Sequence, residues 1–162
     1  MELLMALVII SPAFANGGPI PARYTCEGTD ISPELRWEGV PPQTKSFSLI
    51  VDDPDAPDPS APKMTWVHWV VYDIPADVLA LPEDAAKQGL PRGAKHGLND
   101  WKRDGYGGPC PPVGTHRYFF RLYALDIVLP DLGHPTKAQL LNAMKGHVLE
   151  EMQLIGTYKK AR

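Results

Sequence analysis

Hydrophobic and polar positions alternate in three stretches of the chain and run together in a fourth, and both patterns point to strands. Between Lys45 and Asp52 the apolar residues Phe47, Leu49 and Val51 fall every second position, the period of a strand with one face buried. Met64 to Ile74 also has a period of two. It sets Trp66, His68, Val70 and Tyr72 on one face and Val67, Trp69 and Val71 on the other. Both sets are mostly apolar, so both faces are expected to be covered. From Arg117 to Leu125 the residues Tyr118, Phe120, Leu122 and Ala124 share a face, with His116 in line just before them. The continuous apolar run Leu3 to Ile10 reads as a buried first strand.

The remaining segments are weaker. Residues 11–44 are rich in loop formers, with one short strand around Leu35-Arg36-Trp37. Asp53-Pro54-Asp55-Ala56-Pro57 is expected to stop the Lys45–Asp52 strand, because proline cannot donate to a ladder. Residues 75–115 hold no long periodic element beyond a helical turn near Pro82–Gln88. Thr136-Lys137-Ala138-Gln139 has the form of a capping box and starts a helix, which Gly146 should weaken. Met152 to Tyr158 reads as a last strand, although Leu141, Met144, Val148, Met152 and Ile155 also fit helical spacing. Five or more strands with long loops and one late helix give a mainly β protein. A β-sandwich of two antiparallel sheets with Greek-key connections would bury both faces of its central strands. No repeat or linker divides residues 1–162, which are read as one domain.

Composition changes this picture in two places. The 18 prolines and 14 glycines are about a fifth of the 162 residues, and they lie between apolar runs, so they mark ordered loops of the kind that carry sites. The formal net charge of −3 gives no basic face, which argues against a nucleic-acid or membrane-surface binder. Cys26 and Cys110 are too few for a disulfide framework and are read as thiols of a reducing compartment, with a single bridge between them left open. The N-terminal run is too short to span a bilayer. It carries Glu2 and no Lys or Arg, so Ala13-Phe14-Ala15 is not read as a signal-peptidase site.

Three segments place polar groups at strand ends. Asp53 and Asp55, fixed by two prolines, form an acidic corner, or an ordinary Asp-Pro turn. His68 lies inside an apolar strand, where it is a satisfied core imidazole or a ligand group. Gly108-Pro109-Cys110-Pro111-Pro112 is a rigid loop leading to His116, and Gly108 would let backbone approach a ligand closely. Arg117 alternates away from His116 and is expected in a structural ion pair. Two His with two Asp suit an anion site, in which carboxylates orient or charge the imidazoles. A two-His, one-carboxylate metal site ranks lower, since no HxD or HExxH spacing supports it. A hydrolase triad ranks lower still, because no GxSxG occurs.

With these residues in view, the chain resembles the phosphatidylethanolamine-binding protein family, in its bacterial and archaeal Raf-kinase-inhibitor-like branch. The resemblance covers essentially the whole chain. It rests on Ser11-Pro12-Ala13-Phe14, Tyr24-Thr25-Cys26, Ile31-Ser32-Pro33, Asp52 to Pro57, Trp66-Val67-His68-Trp69, Gly97 to Trp101, Gly107 to Tyr118, Gly146-His147 and Gly156-Thr157-Tyr158. It implies a two-sheet sandwich with a few short peripheral helices, a cis peptide before Pro57, and a ligand pocket at Asp53, Asp55, His68, Gly108, Pro109, His116 and Tyr118. No catalysis, cofactor or metal is implied. The implied ligand is a small anionic or phosphorylated group such as phosphorylethanolamine. His68, His116 and backbone N–H groups near Gly108 would donate to it, Asp53 and Asp55 would orient the imidazoles and receive an amine, and Tyr118 would close one wall. Partners implied by relatives are a kinase or a protease, inhibited by binding, and a homodimer. Cys110 stands where eukaryotic members have a proline, and the chain ends at Arg162 with no sign of their C-terminal helix, so lipid binding and kinase partners are expected less here. Residues 11–28 belong to the matching domain, so the protein is expected in the cytoplasm, with the periplasm as the alternative.

Overall fold

The computed structural model describes residues 6–161. Eight strands form: β1 (Val8–Ile10), β2 (Leu35–Glu38), β3 (Ser46–Ala56), β4 (Met64–Pro75), β5 (Ala80–Leu81), β6 (Lys95–His96), β7 (His116–Leu125) and β8 (Val148–Tyr158). A 3-10 turn at Ala22–Tyr24 and two helices, α1 (Ala85–Gln88) and α2 (Lys137–Met144), lie among them. The strands make two antiparallel sheets, one in the order β1-β2-β5 and the other β6-β4-β3-β7-β8. The protein is therefore the mainly β, two-sheet structure expected. Of the first apolar run, Val8–Ile10 is strand, and Leu3–Met5 fall outside the described residues.

Alternation places the core. Phe47, Leu49 and Val51 of β3 and Phe120, Leu122 and Ala124 of β7 point between the sheets, where they meet Leu7, Ile9, Leu35, Trp37 and Leu81. The opposite face of the large sheet is covered as well. Ile50, Val70, Tyr72, Tyr123 and Leu125 pack there beneath Leu129 and, from α2, Leu140 and Met144. That second layer explains why β4 is apolar on both sides.

The capping box forms as its spacing required. Thr136 Oγ1 accepts from the Gln139 amide at 3.2 Å, and Gln139 Oε1 accepts from the Thr136 amide at 3.0 Å. Gly146, at φ +84°, lies just past the end of α2, and β8 begins at Val148, earlier than Met152. The helical reading of Val148 to Ile155 fails because the chain turns through this left-handed glycine.

Three further expectations are corrected. The prolines at 54 and 57 do not stop β3 at Asp52, and the strand runs to Ala56. Pairing with β7 reaches only Asp52↔Phe119, and pairing with β4 is irregular between Asp53 and Ala56, so Pro54 needs no ladder donor. The period of two in β4 is broken, because Val51 pairs Trp69 while Asp52 pairs Val67, which makes His68 the extra residue of a β-bulge. Cys26 and Cys110 are not free thiols but a disulfide, joining the 22–30 loop to the 105–114 loop. The peptide before Pro57 is cis, as the family resemblance implied.

Asp52, at the end of the regular part of β3, points to the outer face and is fully buried. Arg121 grips it through Nε and Nη2 at 3.0–3.1 Å, and Lys137 of α2 reaches it at 2.6 Å. This triad ties β3, β7 and α2 together and leaves no lone pair facing hydrocarbon. Replacing Asp52 with Asn should lower stability by about 2–3 kcal/mol, since two cations lose their common carboxylate. Urea unfolding would show this as a lower midpoint at unchanged slope. An unchanged midpoint would mean that the triad is not holding the layers.

Candidate functional site

Four side chains converge where the inner face of the large sheet meets the loops. The alternation that sends Asp52 outward sends Asp53 inward. On β7, His116 and Tyr118 are two apart and share that inner face. The bulge at His68 turns its imidazole to the same place, edge-on to Tyr118 at 5.2 Å between ring centres. His116 and Tyr118 stack at 6.4 Å and 18°. A cavity of about 460 Å³ opens above them, walled by Ala56, Pro57, Met64, Trp66, Trp101, Cys110, Pro111 and Pro112.

The two histidines do different work. His116 Nδ1 meets Asp53 Oδ2 at 2.6 Å, and its Nε2 meets the Val113 carbonyl at 2.8 Å. Both neighbours are acceptors, so His116 is committed to the protein. The other oxygen of Asp53 accepts from the Asp55 amide at 2.7 Å. His68 Nδ1 donates to the Gly107 carbonyl at 2.7 Å, and the Gly107 amide donates back to the His68 carbonyl at 3.0 Å. That tautomer leaves His68 Nε2 as a lone pair. Burial holds the His68 pKa below the ordinary histidine value, against weaker upward pulls from the Gly107 bond and from Asp53, Asp52 and Asp100. Burial also pushes the Tyr118 phenol far up, so it remains a donor. Its hydroxyl is buried and has no hydrogen-bond partner among the described residues. A buried hydroxyl left without a partner, on a residue that lines a cavity, calls for an explanation, and a ligand oxygen is one.

Not every residue expected in the site lines the cavity. Asp53, His68, His116 and Tyr118 do. Asp55 turns away and is held by Arg117 through Nη2 at 2.9 Å, Nε at 3.0 Å and the backbone amide at 2.9 Å. These bonds pull its carboxyl below the usual carboxylate range, and Arg117 is the structural ion-pair partner its alternation suggested. The Gly108 amide is not offered to a ligand: it donates to Asp30 Oδ1 at 2.8 Å. A Cβ on Gly108 would lie 2.3 Å from the Tyr24 carbonyl oxygen and 2.4 Å from Asp30 Oδ1, so the close approach that needs glycine is to the protein's own loop. The Pro109 carbonyl accepts from the Cys26 amide at 3.1 Å.

The walls were not named from the sequence. Trp66, Trp101 and Pro57 sit inside motifs already singled out, but nothing in strand periodicity shows that Trp101, from a distant loop, lies edge-on to Trp66 at 5.5 Å and to His68 at 5.2 Å. No group of three or more His, Cys, Asp or Glu that could hold a metal ion occurs among the described residues.

Comparison with known proteins extends the resemblance. The family model described as phosphatidylethanolamine-binding protein matches residues 10–159. A UPF0098 protein of Methanothermobacter thermautotrophicus is 52% identical over 149 residues, covering 91% of this chain and 95% of the relative. A UPF0098 protein of Chlamydia pneumoniae is 45% identical, covering 94% of this chain and 99% of the relative. Among solved structures, a putative phosphatidylethanolamine-binding protein homolog from Chlamydia trachomatis has a TM-score of 0.86 at 45% identity, covering 96% of this chain and 98% of that one. The Escherichia coli protein YbcL, described as a new member of the mammalian family, has a TM-score of 0.86 at 34% identity, covering 96% and 99%.

Gly108→Ala should cost about 1–3 kcal/mol, because the added methyl meets the backbone of Tyr24 and Thr25 as well as the Asp30 carboxylate that accepts from the Gly108 amide. Thermal unfolding of the variant checks this. A wild-type midpoint would mean that the two loops can separate freely.

Proposed function

The chain belongs to the phosphatidylethanolamine-binding protein family, and from that premise we propose that it is a non-catalytic binding protein whose cavity takes a small phosphorylated ligand, of the phosphate or phosphorylethanolamine type. The observation that carries this reading is a pair of uncommitted polar groups on residues that line the cavity, His68 Nε2 and the buried hydroxyl of Tyr118. Tyr118 donates to a phosphoryl oxygen. His68 accepts from a protonated phosphoryl oxygen or an ammonium group when neutral, and donates to an anion once protonated. Trp66 and Trp101 on the cavity wall are aromatic rings of the kind whose faces attract an organic cation. His116 and Asp53 act as the floor, fixing Tyr118 in place, rather than as direct donors. The non-catalytic reading follows from the family resemblance and from the way the Asp53 carboxylate is engaged with His116.

One observation favours a second reading, inhibition of a kinase or protease by binding. Met64 and Trp101 on the cavity wall and the nearby Val113 are exposed apolar side chains beside the opening, where a partner's segment could seat. As to compartment, no helix among the described residues is long and apolar enough to cross a membrane. The Cys26–Cys110 bridge is compatible with the periplasmic alternative, a compartment in which disulfides persist.

Calorimetric titration with phosphorylethanolamine and inorganic phosphate tests the proposal. Tyr118→Phe should weaken binding about tenfold, the worth of one hydrogen bond to a charged group, and His68→Ala at least as much. Asp55→Asn should leave affinity near the wild-type value, because that carboxylate serves Arg117. Equal affinity in all three variants would remove the cavity as the binding site.

A pH titration with sulfate, whose charge is constant in this range, isolates His68. Burial holds its pKa below the ordinary value of 6.5, so the His68 ring is neutral at pH 7 when no anion is bound. An anion favours the protonated ring, so binding takes up a proton and affinity should rise as pH falls from about 7.5 towards 5.5. Sulfate affinity that is flat with pH would show that His68 does not touch the anion.

A further inference from the structure

The cavity wall containing Cys110 is closed by a covalent bond from a different part of the chain. Cys110 is joined to Cys26, and both residues are exposed, so the bridge borders the cavity and is open to solvent. The loop on its two sides is held unequally. Residues 106–109 are buried and fixed without the sulfurs: Tyr106 Oη donates to the Tyr24 carbonyl at 2.7 Å, the Gly108 amide to Asp30 at 2.8 Å, and the Cys26 amide to the Pro109 carbonyl at 3.1 Å. Residues 110–115 have no regular structure, and all but Pro111 are exposed. This stretch supplies Pro111 and Pro112 to the wall, and its Val113 carbonyl holds His116 Nε2 at 2.8 Å.

We propose that the Cys26–Cys110 bridge is a redox gate on the cavity, whose reduction frees residues 110–115 about a hinge at Pro109 and opens the wall. The consequence for ligand rests on the binding reading above: an open wall lowers affinity. The reductant is a dithiol, either a small molecule or a protein with two vicinal thiols. Its thiolate attacks one sulfur of the bridge to give a mixed disulfide, and the other sulfur leaves as thiolate and takes a proton. The second thiol of the reductant then displaces the remaining cysteine. Cys26 and Cys110 end as thiols, the reductant ends as its disulfide, and two electrons and two protons have passed to the protein. An exposed bridge admits such a nucleophile where a buried one would not. The geometry limits the effect to the wall, because residues 106–109 keep their own hydrogen bonds and the two sheets form their core without the sulfurs.

The test compares the oxidised protein, the same protein in dithiothreitol, and the double variant Cys26→Ser with Cys110→Ser kept free of reductant. Amide hydrogen exchange is the first readout. Exchange at Val113, Gly114 and Thr115 should rise by on the order of tenfold in both bridge-free forms, with β3, β4 and β7 unchanged. Inorganic phosphate should bind about tenfold more weakly to both of them than to the oxidised form. Unchanged exchange at 113–115 in both would overturn the gate. Equal acceleration through β3, β4 and β7 would overturn it too, since the bridge would then be a staple of the whole fold. Faster exchange confined to 113–115, with no phosphate bound in either state, would uphold the gate and sink the anion reading instead.

Discussion

Two neighbouring carboxylates must leave the same strand in opposite directions, and much of the molecule is arranged around that requirement. Asp52 and Asp53 follow one another on β3, so the pleat sends one outward and the other inward. Each would be costly to bury alone. The outward one is neutralised by Arg121 and Lys137, which fixes α2 against the sheet and closes the second hydrophobic layer. The inward one is taken up by His116 and by the Asp55 amide, which fixes the floor of the cavity. The same short run of sequence therefore sets the outer packing and the site, and a slip of one residue in the register of β3 would exchange the two.

The second constraint is how loops far apart in sequence are made to agree. The 22–30 and 105–114 loops have no shared ladder, so their alignment depends on point contacts. The Tyr106–Tyr24, Gly108–Asp30 and Cys26–Pro109 hydrogen bonds supply three of them and the disulfide a fourth. The absence of a side chain at Gly108 lets the loops come this close. Through Gly107 the same loop reaches β4 and holds the His68 ring by one nitrogen. The tautomer of His68, and so the character of its free nitrogen, is set by the backbone of a loop that hydrogen-bonds to the strand through Gly107.

Much of this was legible in the chain, and the limits follow from what periodicity can encode. Phe47, Leu49 and Val51, and the His116 to Ala124 face, stand where alternation put them, because a regular strand fixes sidedness by counting. Counting fails at an inserted residue: the bulge at His68 moves it off the face of Val70 and Tyr72, and no propensity marks the insertion. Composition alone could not decide the state of Cys26 and Cys110, because pairing depends on their meeting in space, 84 residues apart in sequence. Asp55 and Gly108 were expected in the ligand pocket, and neither lines the cavity: Asp55 is held by Arg117, and Gly108 packs against Tyr24 and Asp30.

The division of labour between the histidines shows which of the four inward side chains is free to respond to a ligand. His116 has both nitrogens committed and is wholly buried, so any contact it made would have to break a bond to Asp53 or Val113 first. Each such bond is worth of the order of 1–3 kcal/mol when a charged group is involved, which a weak ligand contact does not offset. Tyr118 Oη and His68 Nε2 have no such bond to break, since the hydroxyl lacks a partner among the described residues and the nitrogen lies opposite the Gly107 anchor. On the binding reading proposed above, selectivity would follow from a phenol that keeps its proton to donate at ordinary pH and an imidazole whose second nitrogen changes from acceptor to donor as it gains a proton. A phosphoryl group, which offers both oxygens that accept and a hydroxyl that donates, satisfies both partners in either state, and a plain carboxylate does so only when His68 is charged.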